Sequence, residues 1–168
     1  KVESGGTLRV NAGASLGFDN IRLIAPGAMT IAGTIGIDQA TPVSQVRIGA
    51  GSGITQDATG RIVAAVLGLR AAGDVDLTAD TNDVRGVAAA VTGVFALDTA
   101  PALTTTTAAA VPLPGGADTT IAGVAGSSVT LSAADLTIQP GGFGGLNAGA
   151  FATAADGVLT LRADRLAL

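Results

Sequence analysis

The amino-acid sequence of 168 residues predicts an all-β fold, a β-solenoid with roughly three short strands in each coil of about 20 residues. Three observations predict it. Alternating apolar triplets recur along the chain, clusters of turn-forming residues separate them, and small side chains dominate a composition that has four Phe and neither Trp nor Tyr. A narrow coil interior accepts Val, Ile, Leu and Ala but has little room for large aromatic side chains.

The triplets place a small or polar residue between two apolar ones, the pattern of a strand with one buried face and one solvated face. They are Leu8-Arg9-Val10, Ile21-Arg22-Leu23, Met29-Thr30-Ile31, Ile35-Gly36-Ile37, Val46-Arg47-Ile48, Val75-Asp76-Leu77, Val129-Thr130-Leu131, Leu136-Thr137-Ile138 and Leu159-Thr160-Leu161. The apolar members, including Leu77 and Leu131, are expected to face the interior. Two Ala-rich segments, Ile62–Leu69 and Val87–Val91, are brief, contain β-branched residues and are closed by a nearby Gly, so we expect strands there as well.

The spacing of the triplets favours stacked coils over a β-sandwich. Leu8 is separated from Met29, and Leu136 from Leu159, by roughly 20 residues, which is a typical length for one short solenoid repeat. Shorter steps of about six to eight residues lie within this period, and Gly, Pro, Asn and Asp clusters such as Ala25-Pro26-Gly27 form the turns. A sandwich typically has strands at intervals of about 8–12 residues and aromatic anchors in its core.

One segment, residues 104–116, interrupts the pattern. Thr104–Thr107 has β propensity, but Pro112 and Pro114 are incompatible with a central strand. We therefore expect an irregular loop or arm beside the stack. Triplets of the same kind resume after it, so residues 1–168 are predicted to form a single β-solenoid segment.

The residue inventory excludes several kinds of site. Without His or Cys, the chain has no thiolate nucleophile, no His base, no zinc site of the usual ligands and no disulfide. The net charge is −4, and the basic residues are scattered singly without aromatic platforms, so no nucleic-acid partner is expected. The longest uncharged run, Leu136–Ala155, contains Pro140 and several glycines, so membrane insertion is not expected either.

Four aspartates close together in sequence form a candidate calcium site: Asp74, Asp76, Asp80 and Asp83. The spacing lacks the Gly and the terminal Glu of an EF-hand loop, and the Gly-Gly-x-Gly-x-Asp repeat is absent. Asp74 and Asp76 are expected on the outward face of one strand, with Asp80 and Asp83 in the following turn. Turn-capping aspartates at a solvated strand end are the favoured interpretation, and calcium binding is left open.

Two further patterns concern anions. Gly141–Gly145 suggests a phosphate loop but lacks a nearby basic residue and a following helix, so a flexible turn is favoured. Arg9, Arg22 and Arg47 share the middle position of their triplets, so a weak anion-binding stripe along one side of the stack is the most they are expected to form.

The outward threonines suggest a regular hydroxyl array of the kind found on ice-binding surfaces, although their spacing is irregular. They are Thr30, Thr130, Thr137 and Thr160, together with Thr104–Thr107. We assign no catalytic, cofactor-binding or metal-binding residue, and we expect no cofactor and no enzymatic activity.

The most specific motifs lie between Gly53 and Leu103. They are Gly53-Ile54-Thr55-Gln56, Leu67-Gly68-Leu69-Arg70-Ala71-Ala72-Gly73-Asp74-Val75-Asp76-Leu77, Asn82-Asp83-Val84, Phe95-Ala96-Leu97-Asp98 and Ala102-Leu103, with weaker echoes at Val129–Ala133 and Leu159–Ala163. In this order they resemble the repeat region of filamentous-haemagglutinin-type exoproteins, large adhesins exported by two-partner secretion. The resemblance implies a right-handed parallel β-helix in a fibre that is extracellular or on the surface of a Gram-negative bacterium.

The predicted function is therefore structural: a β-helical shaft segment of a bacterial cell-surface or secreted adhesin fibre. The chain begins at Lys1, so we expect a piece of a longer protein or a processed product. The expected partners are further coils or other copies stacked end to end, and surface glycans or proteins of a host or neighbouring cell. One alternative is a self-assembling extracellular filament or matrix subunit. A polysaccharide-processing β-helix enzyme is disfavoured by the missing His, Tyr and Trp and by the lack of clustered carboxylates.

Overall fold

The computed structural model describes residues 1–36, 45–79, 81–139 and 150–168, with the backbone alone for 150–152. In chain order the strands are β1 (Val2–Glu3), β2 (Leu8–Val10), β3 (Ser15–Leu16), β4 (Asn20–Ala25), β5 (Met29–Ile31), β6 (Thr34–Ile35), β7 (Gln45–Ala50), β8 (Ile54–Gln56), β9 (Arg61–Ala71), β10 (Val75–Leu77), β11 (Asp83–Val91), β12 (Phe95–Asp98), β13 (Leu103–Thr105), β14 (Thr107–Val111), β15 (Thr119–Ala122), β16 (Val124–Gly126), β17 (Val129–Ser132), β18 (Asp135–Thr137), β19 (Ala150–Ala152), β20 (Leu159–Arg162) and β21 (Arg165–Ala167). The described residues contain no helix, and hence none with the length and hydropathy to cross a membrane. The all-β prediction is confirmed for these ranges.

Two sheets contain nearly all of the strands. The main path of the large sheet runs β1-β4-β7-β9-β11-β13-β18-β21, with β3 and β6 joining at β9 and β16 and β19 joining at β11. The second sheet runs β2-β5-β8-β10-β12-β17-β20. Strand pairing is parallel throughout both sheets. Since a parallel partner cannot follow through a tight hairpin, at least one other strand lies along the chain between any two paired strands of these sheets.

The register of the second sheet gives the spacing between paired strands. Leu8 pairs with Met29, Met29 with Ile54, Ile54 with Val75 and Val75 with Phe95. These steps are of similar length and agree with the repeat period that the triplets predict. Phe95 next pairs with Val129, a distinctly longer step, because an inserted hairpin lies between them.

The inward side chains of both sheets form one continuous apolar core. The triplet prediction is confirmed at Leu77 and Leu131, which are fully buried, and at Asp76, which is exposed between its two apolar neighbours. Leu159, in the edge strand β20, is an exception because its side chain is exposed. Full burial of such an apolar side chain contributes about 1.5–3 kcal/mol relative to exposure. Phe95 is the largest fully buried side chain of the described residues, and it occupies the same column of the second sheet as Val75 and Val129.

The two Ala-rich segments are strands, as predicted. They lie within β9 and β11, which pair with each other at eight positions from Asp83 with Val63 to Val91 with Ala71. Both strands are buried on much of both faces, which gives a nearly continuous apolar run instead of a simple alternation.

The segment for which an irregular loop or arm is predicted, residues 104–116, contains parts of two strands. Thr104 and Thr105 belong to β13 in the large sheet, and β14 pairs with β15 in an antiparallel hairpin. This hairpin, residues 107–122, is called the arm below. The arm folds back onto the outer face of the large sheet, where its apolar side chains Ala108, Val111 and Ile121 form a second small core with Ala88.

Candidate functional site

A buried asparagine organises the turn that leads into β11. Asn82 is fully buried, and its Oδ1 accepts hydrogen bonds from the backbone N–H of Ile62 at 2.9 Å and from Gln56 Nε2 at 2.7 Å. Its Nδ2 lies within hydrogen-bond distance of Gln56 Oε1, at 3.0 Å, and of the carbonyl oxygens of Leu77 and Asp98, at 3.1 and 3.0 Å. One side chain therefore satisfies backbone groups from neighbouring strands that water cannot reach.

Thr99 extends this network toward the next strand. Its hydroxyl accepts from the N–H of Val84 at 2.9 Å and can donate to the carbonyl of Asn82 at 3.1 Å. The burial of Asn82 and Thr99 could not be predicted from the sequence, because Asn and Thr beside Asp are typical of exposed turns. The network consists of amides, hydroxyls and backbone groups, which suits it to holding strands in place.

The described aspartates of the candidate calcium site each contact a different partner. Asp74 Oδ1 accepts from the N–H of Val94 at 2.8 Å, and Asp76 Oδ1 accepts from the hydroxyl of Thr78 at 2.6 Å. Asp83 is the first residue of β11, with Arg85 Nε at 3.6 Å from its Oδ1, so the expectation that it lies in a turn is wrong. Asp80 lies outside the described residues, and among those described no group of three acidic side chains is placed to hold a metal ion.

The three arginines do not form one stripe. Arg9 lies in the second sheet and pairs with Asp57 at 2.9 Å, whereas Arg22 and Arg47 are register partners in the large sheet. Arg22 makes a bidentate pair with Asp118 of the arm, with both N–O distances at 2.6 Å. The anion-binding stripe is therefore reduced to two neighbouring arginines, one of which is already neutralised. The Gly141–Gly145 segment lies outside the described residues.

The threonine array is also interrupted. The outward column of the second sheet reads Arg9, Thr30, Thr55, Asp76, Ala96, Thr130 and Thr160. Thr137 lies in the large sheet instead, and Thr105 is fully buried and accepts from the N–H of Gln139 at 3.0 Å. A regular lattice of hydroxyl groups is not formed by this column.

A cleft of about 350 Å³ lies beside the arm, open to solvent. Its lining includes Arg70, Ala90 and Leu113 and is mainly apolar. Arg70 Nη1 donates to the hydroxyl of Thr119 in the arm at 3.0 Å. Among the described residues that line the cleft, Arg70 is the charged one, and it is engaged with the arm.

The two outer edges of the sheets present strands with a free side. At one edge, β21 is exposed at every residue and Leu166 remains 49% exposed although it continues the column of buried Leu136. At the opposite edge, β1 is likewise exposed. Edge strands carry unpaired N–H and C=O groups that accept a further strand, so these edges are candidate binding surfaces of the described part of the chain.

Arg165 and Asp135 hold β21 against β18 through a bidentate pair at 2.6 and 2.7 Å. The hydrogen bonds from Arg165, aided by its charge and partly opposed by desolvation, lower the pKa of the Asp135 carboxyl below its ordinary value. The same contact raises the pKa of Arg165. The pair is well exposed to solvent, so its contribution to stability is small.

The chain matches no protein-family model, no curated protein and no solved structure. The resemblance to filamentous-haemagglutinin-type repeats therefore rests on the sequence motifs alone.

Proposed function

We propose that this chain is a β-helical shaft segment of a bacterial cell-surface or secreted adhesin fibre. In this proposal residues 1–168 wind as a single right-handed parallel β-helix with about three strands per coil. The repeat would be of the filamentous-haemagglutinin type, exported by two-partner secretion from a Gram-negative bacterium. Its role is to set distance and stiffness, without catalysis and without a cofactor.

The observation that carries the proposal is the parallel register between strands that lie one repeat period apart in sequence. β1, β2 and β3 belong to the large sheet, the second sheet and the branch at β9, and β4, β5 and β6 repeat that order one step further. Such an order is what successive coils of a β-helix produce. A ladder of this kind carries load through many backbone hydrogen bonds at once, which suits a shaft.

The partners proposed for the shaft are further coils of the same protein or other copies of it, stacked end to end. The exposed edges support this, because Leu159 and Leu166 continue the inward apolar columns of Val129 and Leu136. Surface glycans or proteins of a host or neighbouring cell are the proposed partners of the whole fibre. No particular side chain is assigned to that contact.

A self-assembling filament or matrix subunit is the second candidate, and the same free edges favour it. Electron microscopy of the purified chain separates the two functions. Filaments that lengthen as concentration rises support the subunit, whereas separate particles at all concentrations support the shaft segment. Release of unsaturated sugars from an acidic polysaccharide would contradict both structural functions and favour a polysaccharide-processing enzyme.

Immunogold labelling tests the location directly. An antibody raised against residues 1–168 should label fibres outside intact cells of the source organism, and protease treatment of those cells should remove the label. An antibody to a cytoplasmic protein provides the control, because it should label permeabilised cells only. Labelling that requires permeabilisation would overturn the proposal.

A further inference from the structure

The arm contacts four strands of the large sheet that are neighbours in space but far apart in sequence. Its Asp118 pairs with Arg22 of β4, 96 residues away. Pro112 lies directly over Gly49 of β7, where a Cβ would clash with the carbonyl of Pro112. Further along, Ala108 and Val111 pack over Gly68 of β9 and beside Ala88 of β11.

The fit depends on residues with little or no side chain. A Cβ built at Gly68 would lie 2.7 Å from Val111 Cγ2 and 2.8 Å from the Cβ of Ala108. Those distances are shorter than any ordinary contact, so the arm sits directly on the backbone of the sheet. Gly49 and Gly68 are therefore required by the position of the arm, and no turn or positive φ is involved at either of them.

The base of the arm is fixed to β11. The N–H of Thr106 donates to the carbonyl of Val87 at 2.9 Å, and the N–H of Ala89 donates to the carbonyl of Gly123 at 2.8 Å. Between these anchors the N–H of Gly123 donates to the carbonyl of Thr106 at 2.8 Å, which closes the base. The arm thus spans from an anchor at β11 to an ion pair at β4, three strand spacings or roughly 14 Å away.

We propose that the arm is a brace that makes β4, β7, β9 and β11 open as one cooperative unit. In a stack of repeats each strand is held only by its two neighbours, so opening normally starts at an end and proceeds strand by strand. The brace adds a link between strands that do not touch. Its action goes beyond the proposed function and does not depend on it, since it concerns the stability of any protein with this arrangement.

Hydrogen–deuterium exchange of the purified chain tests the brace through Asp118→Asn. Loss of the ion pair should speed amide exchange in β4 and β7 by roughly fivefold, while exchange in β17 and β20 stays unchanged. The matched control is Asp135→Asn, which removes the other bidentate Arg–Asp pair, one that joins neighbouring strands. In that variant the change should be confined to β21 and β18.

A double-mutant cycle with Arg22→Gln shows whether the two side chains act as a pair. The combined variant should exchange no faster in β4 than the faster single variant, because either change alone already breaks the link. Excision of residues 107–122, with two glycines joining Thr106 to Gly123, should uncouple β4 from β11 completely. Unchanged exchange in β4 in Asp118→Asn, or equal acceleration in every strand, would overturn the brace whether or not the excised chain folds.

Discussion

The strands under the arm and the strands at the β20–β21 edge belong to the same parallel ladders but are protected very differently. β9 is buried along most of both faces, because the apolar core lies on one side and the arm on the other. β21 pairs in register with β18 and is nevertheless exposed at all three residues. Backbone pairing alone therefore orders a strand without burying it. The protection of a strand comes from side chains that pack on its two faces.

The two bidentate Arg–Asp pairs illustrate the same difference. Their N–O distances are nearly identical, at 2.6 Å for Arg22 with Asp118 and 2.6 and 2.7 Å for Arg165 with Asp135. The Arg22 side chain is 29% exposed, whereas that of Arg165 is 82% exposed. Solvent screens the second pair more strongly, so equal geometry does not mean equal stabilisation.

The largest expected effect is that of a charge placed in the covered interior. Leu77→Asp should abolish the cooperative thermal transition, because an unpaired carboxylate in the core costs several kcal/mol in addition to the lost apolar burial. Leu131→Asp should behave in the same way. Circular dichroism melts and limited proteolysis provide the measurement.

Leu166→Asp is the matched control at the edge. Its side chain is already half exposed, so the free energy of unfolding should change by only about 0.5 kcal/mol. Equal losses at Leu77 and Leu166 would show that the covered strands are no better protected than the edge.

Removal of the buried amide should have the next largest effect. Asn82→Ala leaves the N–H of Ile62 and several carbonyl groups without partners in a site closed to water, which costs about 2–4 kcal/mol. Asn11→Ala, in an exposed turn, should be nearly neutral. Urea unfolding of both variants measures the difference, and similar midpoints would mean that the network around Asn82 contributes little.

A larger side chain under the arm sharpens the comparison between covered and uncovered faces. Gly68→Val should cost about 1–3 kcal/mol, because the new side chain must displace Val111 and Ala108. Ala96→Val, on the uncovered outer face of the second sheet, should change stability by less than about 0.5 kcal/mol. Equal shifts of the melting temperature in the two variants would indicate that the arm moves aside at little energetic cost.

The smallest expected effect is a pH dependence at the edge. Since the folded pKa of Asp135 is lowered by Arg165, its stabilising contribution is fully present above about pH 4, the ordinary range for an Asp carboxyl. It is lost as the pH falls through the folded pKa. Amide exchange in β21, corrected for its intrinsic pH dependence, should therefore accelerate on acidification in the native chain and not in Asp135→Asn. If Asp135→Asn retains the full acceleration of exchange on acidification, the pH dependence belongs to another titratable group.

The strand pattern can be predicted because alternation is a local property. Leu77 and Leu131 face the core for the same reason that Asp76 faces solvent, and the neighbours in sequence are enough to show it. The Ala-rich strands can be predicted too, through their β-branched residues and closing glycines. The repeat period follows directly from the distance between equivalent triplets.

The remaining features depend on contacts between distant residues. Arg9 and Arg22 occupy the same triplet position yet lie in different sheets, because β2 and β4 belong to different sheets and the triplet pattern is the same in both. The position of the arm could not be predicted from its sequence, since nothing near Ala108 and Val111 in the sequence indicates which sheet face they contact. Asn82 gains its role from Gln56, which is 26 residues away.

The unequal steps between paired strands have a consequence for reach. Phe95 pairs with Val75 on one side and, after a much longer stretch of chain, with Val129 on the other, yet each step adds the same rise of about 4.8 Å. The additional residues thus widen the protein at that level and leave its length along the stacking direction unchanged. The number of residues is therefore a poor measure of the length of such a protein along the stacking direction. Insertions such as the arm can be gained or lost between paired strands without changing that length.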